Sequence, residues 1–271
     1  MPSVLNTNVN ALLAQNASTV NSRAMSTAMQ QLATGSRINS AKDDAAGLGI
    51  AQNMTAQIRG LNQAVRNVND GVSMMQTTDG ALVESANMLQ RMRELAVQSS
   101  NGTYSDTQRS YLQTEYTALS TQIGRVASDT KWNDVAVLAA SATYTYQAGT
   151  SSGTTIVVSL AGMTATDLIS SGDTINSVAG ATATLSKLDA ALDKVALNRA
   201  KIGAAMNQMT YAADNMSNIS TNLAASRSSI TDTDYAAAST QLSRAQIVQQ
   251  AATAMLAQAN QQPQSVLALL K

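Results

Sequence analysis

Met54 to Ala96 reads MTAQIRGLNQAVRNVNDGVSMMQTTDGALVESANMLQRMRELA, and it carries an apolar side chain at every seventh position: Met54, Leu61, Val68, Met75, Leu82, Leu89 and Ala96. A second set, Ile58, Val65, Val72 and Ala86, follows four residues behind. Steps of three and four residues gather such groups on one stripe of an α-helix. A strict seven-residue repeat also asks that helix to coil against another. A matching repeat lies near the other end of the chain: Leu188, Val195, Ile202, Met209, Met216, Leu223 and Ile230, accompanied by Leu185, Leu192, Met206 and Ala213. The spacing predicts two long helices, the first running from about residue 43 to 99 and the second from about 183 to 230. Asp79 and Arg93 interrupt the first accompanying series with charge. Such residues set register if they are paired.

Composition narrows the class of function. The chain has 271 residues, with 17 Lys plus Arg against 17 Asp plus Glu, and pI ≈ 6.2. No basic field is present to hold nucleic acid or an anionic membrane. Aromatic residues make up 3% and Phe is absent, which suits thin helix–helix seams better than a broad core. His and Cys are both absent, removing the commonest general base, thiol nucleophiles and the usual zinc ligands. The expectation is a protein that is not an enzyme and needs no cofactor or metal. Residues 1–10 lack the basic region and apolar core of a cleaved secretory signal, and no apolar run reaches the roughly 20 residues that span a bilayer. Export without a cleaved signal, or residence in the cytoplasm, remains.

Around the heptad helices the pattern is weaker. Residues 3 to about 33 read as an Ala/Gln/Asn-rich helix with a loose apolar face of Val9, Leu13, Val20, Ala24 and Leu32. Thr34, Gly35 and Asn39-Ser40 break it, and Ser40 with Asp43 reads as a helix cap. Ser105 with Gln108 is a second capping box, opening a return helix along Leu112, Tyr116, Leu119, Ile123 and Val126. Tyr144-Thr145-Tyr146, a Gly149–Gly153 turn and Thr155 to Val158 predict a β-hairpin at about 142–160. Thr231 to Thr233 separates the second heptad helix from a last amphipathic helix that should stop near Pro263. The predicted fold is mainly α: a long antiparallel coiled-coil bundle with one small hairpin.

Four segments then carry a resemblance. LNTNVNALLAQN at 5–16, QQLATGSRINSAKDDAAGLGIA at 30–51, LQRMRELAVQSSNGTYSD at 89–106 and TQLSRAQIVQQAATAMLAQANQQPQSVLALLK at 240–271 together closely resemble bacterial flagellin, over about 1–140 and 180–271. The resemblance implies a discontinuous two-domain protomer of a helical filament. Residues 1–42 with 231–271 would form the inner core and be disordered in the free subunit; residues 43–230 would form the surrounding shell. It implies a homo-polymer serving motility, exported to the bacterial surface, with an export chaperone, a filament cap and hook-associated proteins as partners. The middle of this chain is short beside longer flagellins, which implies a slim filament. Trp132-Asn133-Asp134 stands where many relatives have Phe-Asn-Gly, putting that turn in question.

By the same resemblance, Arg91, Leu95 and Glu115 match positions that engage host Toll-like receptor 5, although Arg91 and Glu94 also read as a solvated helix face. Asp43 and Gly47 match positions recognised by the plant flagellin-sensing receptor kinase, from whose most active form Gln31, Ala33 and Gly49 depart. The apolar tail Val266, Leu267, Leu269 and Leu270 would serve the chaperone before assembly, the filament core afterwards, and cytosolic inflammasome sensors in animals. Two other functions fit the helices: a hook–filament junction protein with similar ends, and a cytoplasmic coiled-coil signalling protein.

Overall fold

A computed structural model describes residues 7–169 and 173–268, with side chains through residue 261. The elements in order are α1 (Val9–Thr34), α2 (Ala45–Ser100), α3 (Asp106–Asp129), β1 (Lys131–Trp132), β2 (Val135–Ala136), β3 (Ala142–Gln147), β4 (Thr155–Leu160), α4 (Ala165–Leu168), α5 (Val178–Thr231) and α6 (Tyr235–Ala268). Two compact units emerge, residues 1–56 with 222–271, and residues 57–221. The divide falls within α2 and within α5 instead of at a loop.

In the unit of residues 57–221 the heptad residues form the core. Val68, Met75, Leu82, Leu89 and Ala96 of α2 are fully buried, as are Leu188, Ile202 and Met209 of α5, with Val195 and Met216 nearly so. The accompanying series differs from expectation. Ile58, Val65, Val72 and Ala86 are only half-buried flanks. The buried partners lie three residues on from the heptad positions instead, at Ala64, Gly71, Thr78, Ser85, Met92 and Ser99. On α5 the same offset buries Thr184, Ala191, Asn198 and Ala205, while Leu185 and Leu192 are half-buried. Most of these partners are small or polar instead of large and apolar. Their hydroxyls cost little because Thr78 donates to the Met74 carbonyl at 2.8 Å and Ser85 to that of Ala81 at 3.0 Å.

Polar cross-links fix α2 and α5 antiparallel. Asp79 receives the Arg199 guanidinium at 2.8 Å and Arg93 donates to Asp189 at 2.6 Å, so the two interrupting charges are both paired across the helices. Ser220 bonds Asn62 further along. The hairpin β3–β4 pairs Ala142 with Leu160 through Gln147 with Thr155. It turns Ile156, Val158 and Leu160 inward. Gly71 is where α2 meets it: a Cβ there would lie 2.8 Å from the Tyr146 ring and 3.2 Å from the Met209 sulfur. The Tyr146 hydroxyl reaches Met74 Sδ at 3.1 Å, and burial pushes its pKa up to about 12. Asn198 closes the hairpin onto α5, accepting from the Ala161 amide at 3.3 Å and donating to its carbonyl at 3.2 Å.

The α2–α3 corner is clamped by Arg109, a residue only 5% exposed. Its guanidinium donates to the carbonyls of Ser99 at 3.0 Å, Tyr104 at 2.6 Å and Asn101 at 2.8 Å. Ser99 lies in the last turn of α2, where carbonyls lack helical partners, and Asn101 and Tyr104 belong to the turn that follows. The Ser105–Gln108 capping box forms as the spacing predicts. Residues 131–136 add a two-residue hairpin missing from the sequence reading: Asn133 and Asp134 both have left-handed backbones, φ 47 and 63, the geometry of a type I′ turn.

In the other unit, α1 and α6 pair antiparallel through alanines, with Ala28, Ala238, Ala245 and Ala259 buried. Ser36 and Asp232 form an isolated antiparallel bridge beside them, and Gly35 ends α1 with φ 70. α6 runs past Pro263 to Ala268, where a stop near Pro263 was expected. Proline lacks the N–H that would bond the carbonyl four residues back. That carbonyl, of Ala259, instead accepts Asn8 Nδ2 at 2.8 Å.

Candidate functional site

The terminal helices are joined by polar side chains and show their large apolar ones to the outside. Asn8 holds the Ala259 carbonyl. Asn21 donates to the Ala245 carbonyl at 2.7 Å and to Gln249 at 3.2 Å, and Gln249 reaches back to Ser18 at 3.0 Å. Together these bonds fix the register of α1 on α6. The loose apolar face read from the sequence is not inside: Val9, Leu13 and Val20 are all more than half exposed, as are Leu12, Ile247 and Met255. Leu13, Ala14, Ala17, Val248, Ala251, Ala252 and Met255 line a groove of about 590 Å³. Its lining is mostly apolar, with Leu13 and Met255 well exposed to solvent. Asn8, Asn21 and Gln249 escaped the sequence reading because a polar residue on an Ala-rich helix gives no period to detect.

The residues matched to innate receptors fall in two places. Arg91, half-exposed on α2, donates to Glu115 of α3 at 2.8 Å and to Glu94 at 2.9 Å. Both carboxylates raise its pKa, that of Glu115 more. Leu95 is not on this surface: at 1% exposure it lies in the core beneath it. Asp43 and Gly47 sit at the entry to α2. Ser40 and Asp43 do not cap the helix directly. Asp43 Oδ2 accepts from the amides of Asn39 at 3.1 Å and Ser40 at 2.9 Å and from the Ser40 hydroxyl at 3.0 Å, forming a turn. Those bonds lower the Asp43 pKa, the Asn39 amide most. The cap itself is Asp44, which accepts from the Gly47 amide at 2.8 Å. Gly47 packs closely, since a Cβ there would come within 2.8 Å of Ile38 Cδ1. Of the tail, Val266 and Leu267 lie in the last turn of α6, with side chains beyond those described, and Leu269 and Leu270 lie outside the described residues.

No helix among the described residues is long and apolar enough to cross a membrane. Residues 5–143 match the bacterial flagellin N-terminal helical region and residues 185–270 the bacterial flagellin C-terminal helical region. A flagellin from Halalkalibacterium halodurans is 40% identical over 271 residues, covering 99% of this chain and 100% of that one. Flagellin A of Vibrio cholerae serotype O1 is 32% identical over 375 aligned residues, covering 98% and 99%; it therefore carries residues that this chain lacks. The crystal structure of Bacillus cereus flagellin superposes with a TM-score of 0.50 at 31% identity, over 60% of this chain and 94% of that one. A Vibrio parahaemolyticus structure described as a flagellar hook-associated protein shares the fold, with a TM-score of 0.59 at 16% identity over 70% and 100%. With both helical regions matched in order and near-complete coverage at 40% identity, the chain belongs to the bacterial flagellin family.

Proposed function

We propose that this subunit of the flagellar filament polymerises through the outward apolar face of α1 and α6, with residues 57–221 as the rigid body. The observation that carries the reading is the groove of Leu13, Val248 and Met255 on the paired terminal helices, apolar and left uncovered by the other described residues. Repeating one such contact head to tail gives an open helical polymer. The terminal helices bury alanines, each offering about 0.8 kcal/mol per methyl-sized group. Ordering the backbone costs about 1–2 kcal/mol per residue, so the helices at 1–42 and 231–271 gain their order on assembly. Seeded elongation of purified subunits tests this. Leu13→Asp, at a position 63% exposed and so harmless to the single chain, is expected to abolish elongation; growth at the normal rate contradicts the proposal.

The remaining assignments come from the resemblance. The subunit is exported after binding an export chaperone through Val266, Leu267, Leu269 and Leu270, and is placed by the cap beyond the hook-associated proteins. Deleting 266–271 is expected to abolish chaperone binding, and undiminished binding rules that role out. Toll-like receptor 5 recognises the α2–α3 surface, where Arg91 and Glu115 are accessible and Leu95 supports them from below. Arg91→Ala should weaken receptor binding, and unchanged affinity removes Arg91 from the contact. Asp43 and Gly47 act in the plant receptor through a peptide spanning 30–51; an Asp43→Ala peptide that binds equally well ends that assignment. The junction-protein reading shares the fold but lacks the full-length similarity that the Halalkalibacterium halodurans flagellin supplies.

A further inference from the structure

The chain has 13 methionines and no cysteine, so thioethers are its softest sites for oxidation. Their exposure divides sharply. Met74, Met75, Met92, Met163, Met209 and Met216 are exposed by 6% or less. Met25, Met54, Met88 and Met206 are half-buried. Only two of the described methionines stand well into solvent, Met29 at 54% and Met255 at 64%. Met255 lines the apolar groove with Leu13 and Val248; Met29, on α1, is not among the groove residues.

We propose that Met255 is an oxidation site of the unassembled subunit, and that its sulfoxide blocks the groove against the next copy of the chain. The oxidant is a peroxide. The thioether sulfur gives up two electrons as the peroxide O–O bond breaks; one oxygen bonds to sulfur, and the other leaves as water with both protons. The product is polar and can be reduced back by methionine sulfoxide reductases. A flexible apolar side chain thereby becomes a strong hydrogen-bond acceptor in a groove that offers mostly alanine, leucine and valine. Two amide side chains, of Asn10 and Gln258, also line the groove, and burying the sulfoxide where neither bonds it is unfavourable. The proposal rests on the assembly reading above. In the filament the same contact covers Met255, so oxidation acts on subunits before they join and spares those already built in.

The test uses the full-length subunit, dilute hydrogen peroxide, peptide mapping by mass spectrometry and seeded elongation. Met29 and Met255 are expected to gain one oxygen each before the six buried methionines do, with Met255 protected in preassembled filaments. Elongation should slow about tenfold, the scale of burying one unpaired polar group. A Met255→Leu subunit should keep its own untreated rate after peroxide, although its Met29 is still oxidised. Reductase treatment should restore the oxidised unmodified sequence. Equal slowing of Met255→Leu after peroxide overturns the proposal, as does oxidation of the buried methionines in step with Met255. The two failures are distinguishable. Normal growth of untreated Leu13→Asp removes the assembly reading, whereas blocked Leu13→Asp beside unimpaired Met255-oxidised subunits removes the oxidation proposal alone.

Discussion

Asp134 occupies the second centre of a type I′ turn with φ 63, where a Cβ strains the backbone and glycine does not. Asp tolerates that region better than most residues, which lets Trp132-Asn133-Asp134 keep the turn that Phe-Asn-Gly would make. Asp134→Gly is expected to stabilise the chain by about 0.5–1 kcal/mol in urea unfolding; destabilisation would mean that the Asp side chain contributes something the backbone does not reveal. Asp43 makes a prediction in pH. Its hydrogen bonds lower its pKa below the ordinary 3.8, so the folded turn binds a proton less readily than the unfolded chain. Its contribution is complete above that ordinary value and is lost as pH falls through the lowered one. The Asn39 and Ser40 amide resonances should therefore stay constant down to about pH 4 and shift only below it, and Asp43→Asn should remove that acid transition. Shifts already complete at higher pH would contradict the assignment.

Between elements, burial supplies the energy and charge supplies the register. Each buried Leu, Ile or Met along α2 and α5 contributes about 1.5–3 kcal/mol, against about 0.2–1 kcal/mol for a partly exposed ion pair. The pairs Asp79–Arg199 and Arg93–Asp189 run opposite in sense along the two helices, so reversing or shifting one helix sets like charges together. Asp79→Arg and Arg199→Asp alone are each expected to cost about 1 kcal/mol, and the double exchange to recover most of it. Additive costs would show that the pair does not couple. The apolar heptads were legible in the sequence; their small partners were not. Thr78, Ser85 and Asn198 read as surface residues by type, yet each is buried with its polar group bonded, the two hydroxyls within α2 and the Asn198 amide to Ala161. Arg109 was hidden for a similar reason, since a charged residue buried against three carbonyls leaves no periodic trace.

For the whole molecule the two units differ in what they can bury by themselves. Residues 57–221 contain the closed seam of α2 and α5, the hairpin set against Gly71 and the Arg109 clamp. The terminal pair has alanine contacts and Asn and Gln links, with Val9, Leu12, Leu13, Val20 and Ile247 outside. That outward face was visible in the sequence as a weak helix stripe. Its direction was not, because no described residue of the chain itself covers it. Residue-resolved hydrogen exchange on soluble subunits and on filaments tests this division most directly. The account predicts fast exchange over 9–34 and 235–261 in the soluble subunit, strong protection over the helices of 57–221, and protection throughout in the filament. Equal protection of the terminal helices in the soluble subunit would contradict it.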